Sequence, residues 1–180
     1  YALDVTNPAS FGTNNVMWEF TDTDLGQALG KPVIVKLNTG DWAVLIGNGY
    51  NSSTEKAFLF VINLNTGALI KKIATGVGSS TSSNGLATPV GFDQNGDGKL
   101  DLAYAGDLLG NFWKFDLTGA SSAWTATSMF VAKDASNNVQ PITGGLSIAI
   151  DPKTNKRWIF GGTGRYLSNS DGSSTAVQSW

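Results

Sequence analysis

Three blocks of this chain share one layout, and that repeat restricts the fold more than any other feature. The first block runs Pro32-Val33-Ile34-Val35, then Trp42 to Gly47, then Ala57 to Leu64, and ends near Leu69 to Ile73. The second runs Pro89-Val90-Gly91-Phe92, then Leu102 to Gly106, Asn111 to Leu117, and Met129-Phe130-Val131. The third opens at Pro141-Ile142, continues through Leu146 to Ile150, and gives Arg157-Trp158-Ile159-Phe160-Gly161-Gly162. Pro32, Pro89 and Pro141 stand 57 and 52 residues apart. A period slightly above fifty, with about four short strands per unit, is the pattern of propeller blades. The alternative is an irregular β-sandwich with no true repeat.

Tyr1 to Val5 matches the third strand of a further blade, and Val16-Met17-Trp18-Glu19-Phe20 its fourth. The expectation is therefore an all-β chain holding about three blades and part of another. Residues 1–180 then form part of a single β-propeller domain within a longer protein. Two stretches, Thr75 to Gly85 and Ser168 to Thr175, are small and polar and read as loops. Phe112 and Trp113 fall on a strand, where they read as packing between blades.

Composition agrees and excludes several chemistries. Charged residues make up 14% of the chain, with 22 Gly and 6 Trp, which suits a many-turned β protein. A net charge of −2 leaves no basic stripe for nucleic acid. There is no Cys and no His, so thiol chemistry, Ser-His-Asp catalysis and His-based metal sites are absent. The longest apolar run, Ala57 to Ile62, is far too short for a membrane span.

The second block carries one loop of distinct chemistry, Asp93-Gln94-Asn95-Gly96-Asp97-Gly98-Lys99-Leu100-Asp101. Side-chain oxygens fall at positions 1, 3, 5 and 9, and Gly98 at position 6 permits the sharp turn that aims the Lys99 carbonyl inward. Four oxygen side chains, three of them carboxylates, suit calcium rather than zinc. The candidate ligands are Asp93, Asn95, Asp97, the carbonyl of Lys99, and Asp101. The competing reading is a plain turn, because Asn-Gly and Asp-Gly are strong hairpin signals. A bare turn, however, does not require Asp at both 93 and 101. Position 12 is Tyr104 rather than Glu, and Leu102 to Gly106 reads as a strand, so an EF-hand does not fit.

The loop runs directly into Y-A-G-D-L-L-G-N-F-W-K-F-D-L (Tyr104 to Leu117), and the whole of Pro89 to Leu117 resembles the calcium-loop blade of the PilC/PilY family of type IV pilus-associated proteins. Tyr1 to Pro8, Val44 to Asn51 and Trp158 to Tyr166 are similar to the same region. The resemblance implies a modified, quinoprotein-like C-terminal β-propeller that binds Ca2+ and is not an enzyme. It further implies export to the bacterial surface, at the pilus tip or the outer membrane. The implied roles are pilus assembly, extension and retraction, and adhesion. The implied partners are pilins or minor pilins and host or abiotic surfaces.

Two other classes remain open at this point. Quinone-dependent dehydrogenases also combine propellers with calcium, but no acid, base and electrophile constellation is visible, and the only Arg residues are Arg157 and Arg165. FG-GAP, integrin-like propellers use the same loop pattern and repeat it from blade to blade. Here the corresponding turns, Leu37 to Trp42 and Asp151 to Arg157, lack the acidic spacing, and the chain has no RGD tripeptide.

Overall fold

In the computed structural model all 180 residues are described, and no helix is long and apolar enough to cross a membrane. Twelve strands run in chain order: β1 (Ala2–Leu3), β2 (Val16–Trp18), β3 (Val33–Lys36), β4 (Trp42–Gly47), β5 (Lys56–Asn63), β6 (Leu69–Gly78), β7 (Val90–Phe92), β8 (Leu102–Gly106), β9 (Asn111–Asp116), β10 (Thr125–Val131), β11 (Ser147–Ile150) and β12 (Arg157–Phe160). Strands β3-β4-β5-β6 and β7-β8-β9-β10 form two four-stranded antiparallel meanders. The pairs β1-β2 and β11-β12 form two-stranded sheets. Neighbouring sheets meet strand to equivalent strand: β3 lies against β7, β7 against β11, and β6 against β10. This is the stacking of successive propeller blades.

The period-two pattern of the strands sorts residues between blade faces. Ala43, Leu45, Ala57, Leu59 and Val61 on the first full blade meet Ala103, Ala105, Trp113 and Phe115 on the second, in one buried cluster. The alternate residues Val44, Phe58, Phe60 and Ile62 turn the other way, against Trp18 and Phe20 of the partial blade. Leu102 and Tyr104 likewise turn toward Ile142, Leu146 and Ile159 in the third blade. Phe112 and Trp113 thus pack on opposite faces of β9, both between blades, as their place on a strand predicts.

Two sequence expectations need correction. The third blade does not open at Pro141-Ile142. Strands β3, β7 and β11 begin at Val33, Val90 and Ser147, so the spacing is 57 residues both times. Ile142 is instead buried in the connection, where its N–H donates to the Asp107 carbonyl and it bridges to Gly164. Nor is Thr75 to Gly85 a loop throughout. Residues 75–78 continue β6, bent where Gly76 and Gly78 take positive φ and held where the Thr75 hydroxyl donates to the Ala57 carbonyl. The Ser168–Thr175 stretch holds a short 3-10 helix, Asn169–Ser173. Near the chain end, Thr163 N–H donates to the Ser179 carbonyl, and the Trp180 ring stacks on Phe160 at 6.5 Å. That lays Ser179-Trp180 beside the end of β12, where the third strands begin in the two preceding blades.

Candidate metal centre

The Asp93–Asp101 loop joins β7 to β8, the first two strands of the second full blade. Its head is built on Asx turns, in which short polar side chains accept from nearby backbone amides. Asp93 Oδ1 accepts from Gly96 N–H and Oδ2 from Gly98 N–H, each at 2.7 Å. Asn95 Oδ1 accepts from Asp97 N–H, and Asp97 Oδ1 from Lys99 N–H, each at 2.9 Å. Gly96 and Gly98 both adopt the left-handed conformation, with φ of 79° and 80°, which a side chain would strain. Partial desolvation pulls the Asp93 carboxyl upward, but the amides of Gly98, Gly96, Asp97 and Asn95 together hold it below its ordinary value.

The neck of the loop is different in character. Asp101 is buried, and its Oδ2 accepts from Gln94 N–H at 2.8 Å, closing the loop on itself. Its Oδ1 accepts from Asn38 Nδ2 at 3.2 Å, and Asn38 belongs to the preceding blade. Asp93, Asp97 and Asp101 are not drawn into one carboxylate cluster. Asp97 stands exposed and pairs with the Lys99 ammonium at 3.3 Å, a contact worth little in water.

The donor set nonetheless fits a hard divalent cation. Every candidate ligand offers oxygen, and the Lys99 carbonyl accepts no hydrogen bond from the protein. Each Asp93 oxygen that takes an amide proton keeps a further lone pair. The ring of amide donors already fixes Asp93 in the loop. An open groove of about 420 Å³ borders the site, lined by Val35, Lys36, Trp42, Phe92, Asp93 and Lys99.

The equivalent turns of the other blades hold no such set. Leu37 to Trp42 closes with Leu37 N–H donating to the Asp41 carbonyl. In the third blade Asp151 accepts from Lys153 N–H and the Thr154 hydroxyl, a capped polar turn. A cavity of about 650 Å³ between the partial and first full blades is lined by apolar side chains such as Leu3, Trp18, Phe20 and Val44, and brings no acid and base together.

Sequence reasoning missed a buried polar centre beside this blade. Asp107 has no exposed surface. Its carboxylate accepts from Asn84 Nδ2, from Asn111 N and Nδ2, and from Trp113 Nε1, all within 3.1 Å. Asn48 fills the corresponding position after β4, accepting from Phe58 and Leu86 N–H and donating to the Asp24 and Lys56 carbonyls. In both blades a glycine (Gly47, Gly106) precedes the buried polar residue, which is the one signal the sequence offered.

The architecture and the loop define a class: a β-propeller segment with one acidic, oxygen-donor turn between the first two strands of a single blade. A family profile described as the PilY1 beta-propeller domain matches residues 1–179. The chain belongs to that family. It is 40% identical, over 97% of its length, to a type IV pilus biogenesis factor PilY1 homolog of Xylella fastidiosa, of which it covers 13%. It is 36% identical over 195 residues to type IV pilus biogenesis factor PilY1 of Pseudomonas aeruginosa strain PAO1, covering 16% of that protein. The crystal structure of the P. aeruginosa PilY1 C-terminal domain superposes with a TM-score of 0.84 at 35% identity, over 94% of this chain and 39% of that domain. The chain thus spans about one-seventh of the length of the curated relatives it matches.

Proposed function

We propose that this chain is a non-enzymatic, calcium-responsive propeller segment of a type IV pilus biogenesis factor, with Asp93, Asn95, Asp97, the Lys99 carbonyl and Asp101 as ligands. The observation that carries the reading is the oxygen-only loop itself, present in one blade and absent from the equivalent turns of its neighbours. Bound calcium supplies a fixed double positive charge. Around it the chain's own residues do the work: Asp93 and Asp97 are neutralised, Asp101 ties the ion to the buried neck, and Gly96 and Gly98 let the backbone wrap. Without that charge, three carboxylates share one short loop and repel one another.

In this reading the segment is exported and acts at the bacterial surface, as part of the pilus or its tip. Its partners are pilins or minor pilins and the surfaces to which the cell attaches. Calcium occupancy stiffens the hairpin and the blade packed on it, a local charge change with a wider readout. Relatives described as pilus biogenesis factors support the pilus assignment. At calcium one hundred times above its dissociation constant, stabilisation is about 2.7 kcal/mol. For a domain of this size that raises the melting temperature by roughly 5–11 °C. Melting in calcium against a chelator, with Asp97→Ala alongside, tests the site. The shift is expected in the parent chain and absent from the variant, and an unchanged parent curve would refute the reading. Counting surface pili in cells carrying Asp97→Ala in the whole protein tests the assignment to pilus function. An undiminished number of surface pili would contradict it.

A further inference from the structure

The loop is held from both sides by residues that do not belong to its own blade. From the preceding blade, the Lys36 carbonyl accepts Leu100 N–H at 2.8 Å, and Leu37 and Leu100 form a parallel bridge. Asn38, in the β3–β4 turn, donates through Nδ2 to the Leu100 carbonyl at 2.9 Å and to Asp101 Oδ1 at 3.2 Å. From the following blade, Arg157 Nη1 donates to Gln94 Oε1 at 2.9 Å, with its guanidinium 5.3 Å from the centre of the Phe92 ring. The first strands of these three blades are neighbours, so the three β-turns stand side by side at one end of the propeller.

We propose that Asn38 is a positioning residue for the calcium site, acting across the blade boundary through Asp101. The inference rests on the calcium reading given above. Asp101 is the one candidate ligand that is buried, and its orientation is set by two donors: Gln94 N–H inside the loop and Asn38 outside it. A donor that fixes a ligating carboxylate governs metal affinity, although it never touches the ion. Asn38 also fixes the adjoining Leu100 carbonyl with the same amide group, so it holds the backbone from which Asp101 projects. The coupling is reciprocal, because a ligand that favours one arrangement is favoured by it. Calcium on the loop therefore tightens the contact between the first and second full blades, and loosening that contact weakens calcium. Arg157, holding Gln94 at the exposed head, makes the same kind of link to the third blade through a single exposed hydrogen bond, and its effect is smaller.

Calorimetric titration of calcium into the full chain, as parent, Asn38→Ala and Asp97→Ala, separates the outcomes. The proposal expects the parent to bind one ion, Asp97→Ala to bind none, and Asn38→Ala to bind about tenfold or more weakly. If the parent fails to bind, the calcium reading itself falls. If the parent binds and Asn38→Ala matches its affinity while melting lower in chelator, Asn38 is only a structural contact and this inference is overturned. Hydrogen exchange of the parent chain supplies a test that needs no variant. Calcium is expected to slow exchange at Leu100 N–H, which donates across the boundary to Lys36. Protection confined to residues 93–99 would equally overturn the proposal.

Discussion

Replacing Asp107 by Ala should be among the most damaging single changes in this chain. The side chain has no exposed surface, and its two oxygens serve four donor groups: Asn84 Nδ2, Asn111 N, Asn111 Nδ2 and Trp113 Nε1. A buried donor left without an acceptor costs about 1–3 kcal/mol. Asn84 Nδ2 keeps a second acceptor in the Val77 carbonyl at 3.3 Å, and water entering the vacated space satisfies part of the remainder. A net loss of about 3 kcal/mol follows, which lowers the melting temperature by roughly 6–12 °C. The isosteric Asp107→Asn separates hydrogen bonding from lost volume, since it keeps one oxygen but turns an amide donor toward other donors. Thermal melts followed by circular dichroism and by Trp fluorescence, which reports on Trp113, read both variants. A fall of less than about 2 °C for Asp107→Ala, or parent-like stability for Asp107→Asn, would refute the argument that this carboxylate organises the blade.

Two further perturbations address the same scaffold. Burial, and secondarily the Asp107 charge, push the Tyr50 hydroxyl from 10.0 up to about 12. Because the folded value lies above the unfolded one, the resulting stability is complete below pH 10 and is lost as pH rises from 10 toward 12. Tyr50→Phe should flatten the melting-temperature profile across that alkaline window, and an unchanged slope would remove Tyr50 from the account. At the end of β4, a Cβ added to Gly47 would sit 2.1 Å from the Ala87 carbonyl oxygen, a backbone atom that cannot rotate aside. Gly47→Ala should destabilise by about 1–3 kcal/mol, read from chemical denaturation, and a neutral result would show that the two blades approach less closely than described.

The blades were legible because their short apolar strands recur in the same order at a period slightly above fifty residues. Ala43 to Ile46 and Ala57 to Ile62 are apolar at every position, so the sequence marks them as buried strands. Only the structure shows odd and even residues going to different neighbours. The third blade was placed wrongly because Pro141-Ile142 imitates the Pro89-Val90 opening. The hydrogen bond from Ile142 to the Asp107 carbonyl and its bridge to Gly164 show that it belongs to the connection. The oxygen-bearing loop was equally legible as the turn between the first two strands of its blade, because a nine-residue segment carries its side chains in its own spacing. Its cross-blade support was not, since Asn38 meets Asp101 across 63 residues and Gln94 meets Arg157 across another 63. The Asp107 centre was hidden for the same reason, with Asn84 contributed from 23 residues upstream. Local spacing can announce a turn, but contacts closed by blade stacking have no local signature.

The proposed calcium site in the Asp93–Asp101 loop is the point on which the functional account turns. Calcium titrated into the chain in a calorimeter, after exhaustive chelation, measures its stoichiometry directly. The account predicts one site per chain, lost in Asp97→Ala, because only the Asp93–Asp101 turn carries the oxygen set. An absence of binding heat and of any thermal shift at millimolar calcium, or a titration closing at two or more equivalent sites, would contradict it.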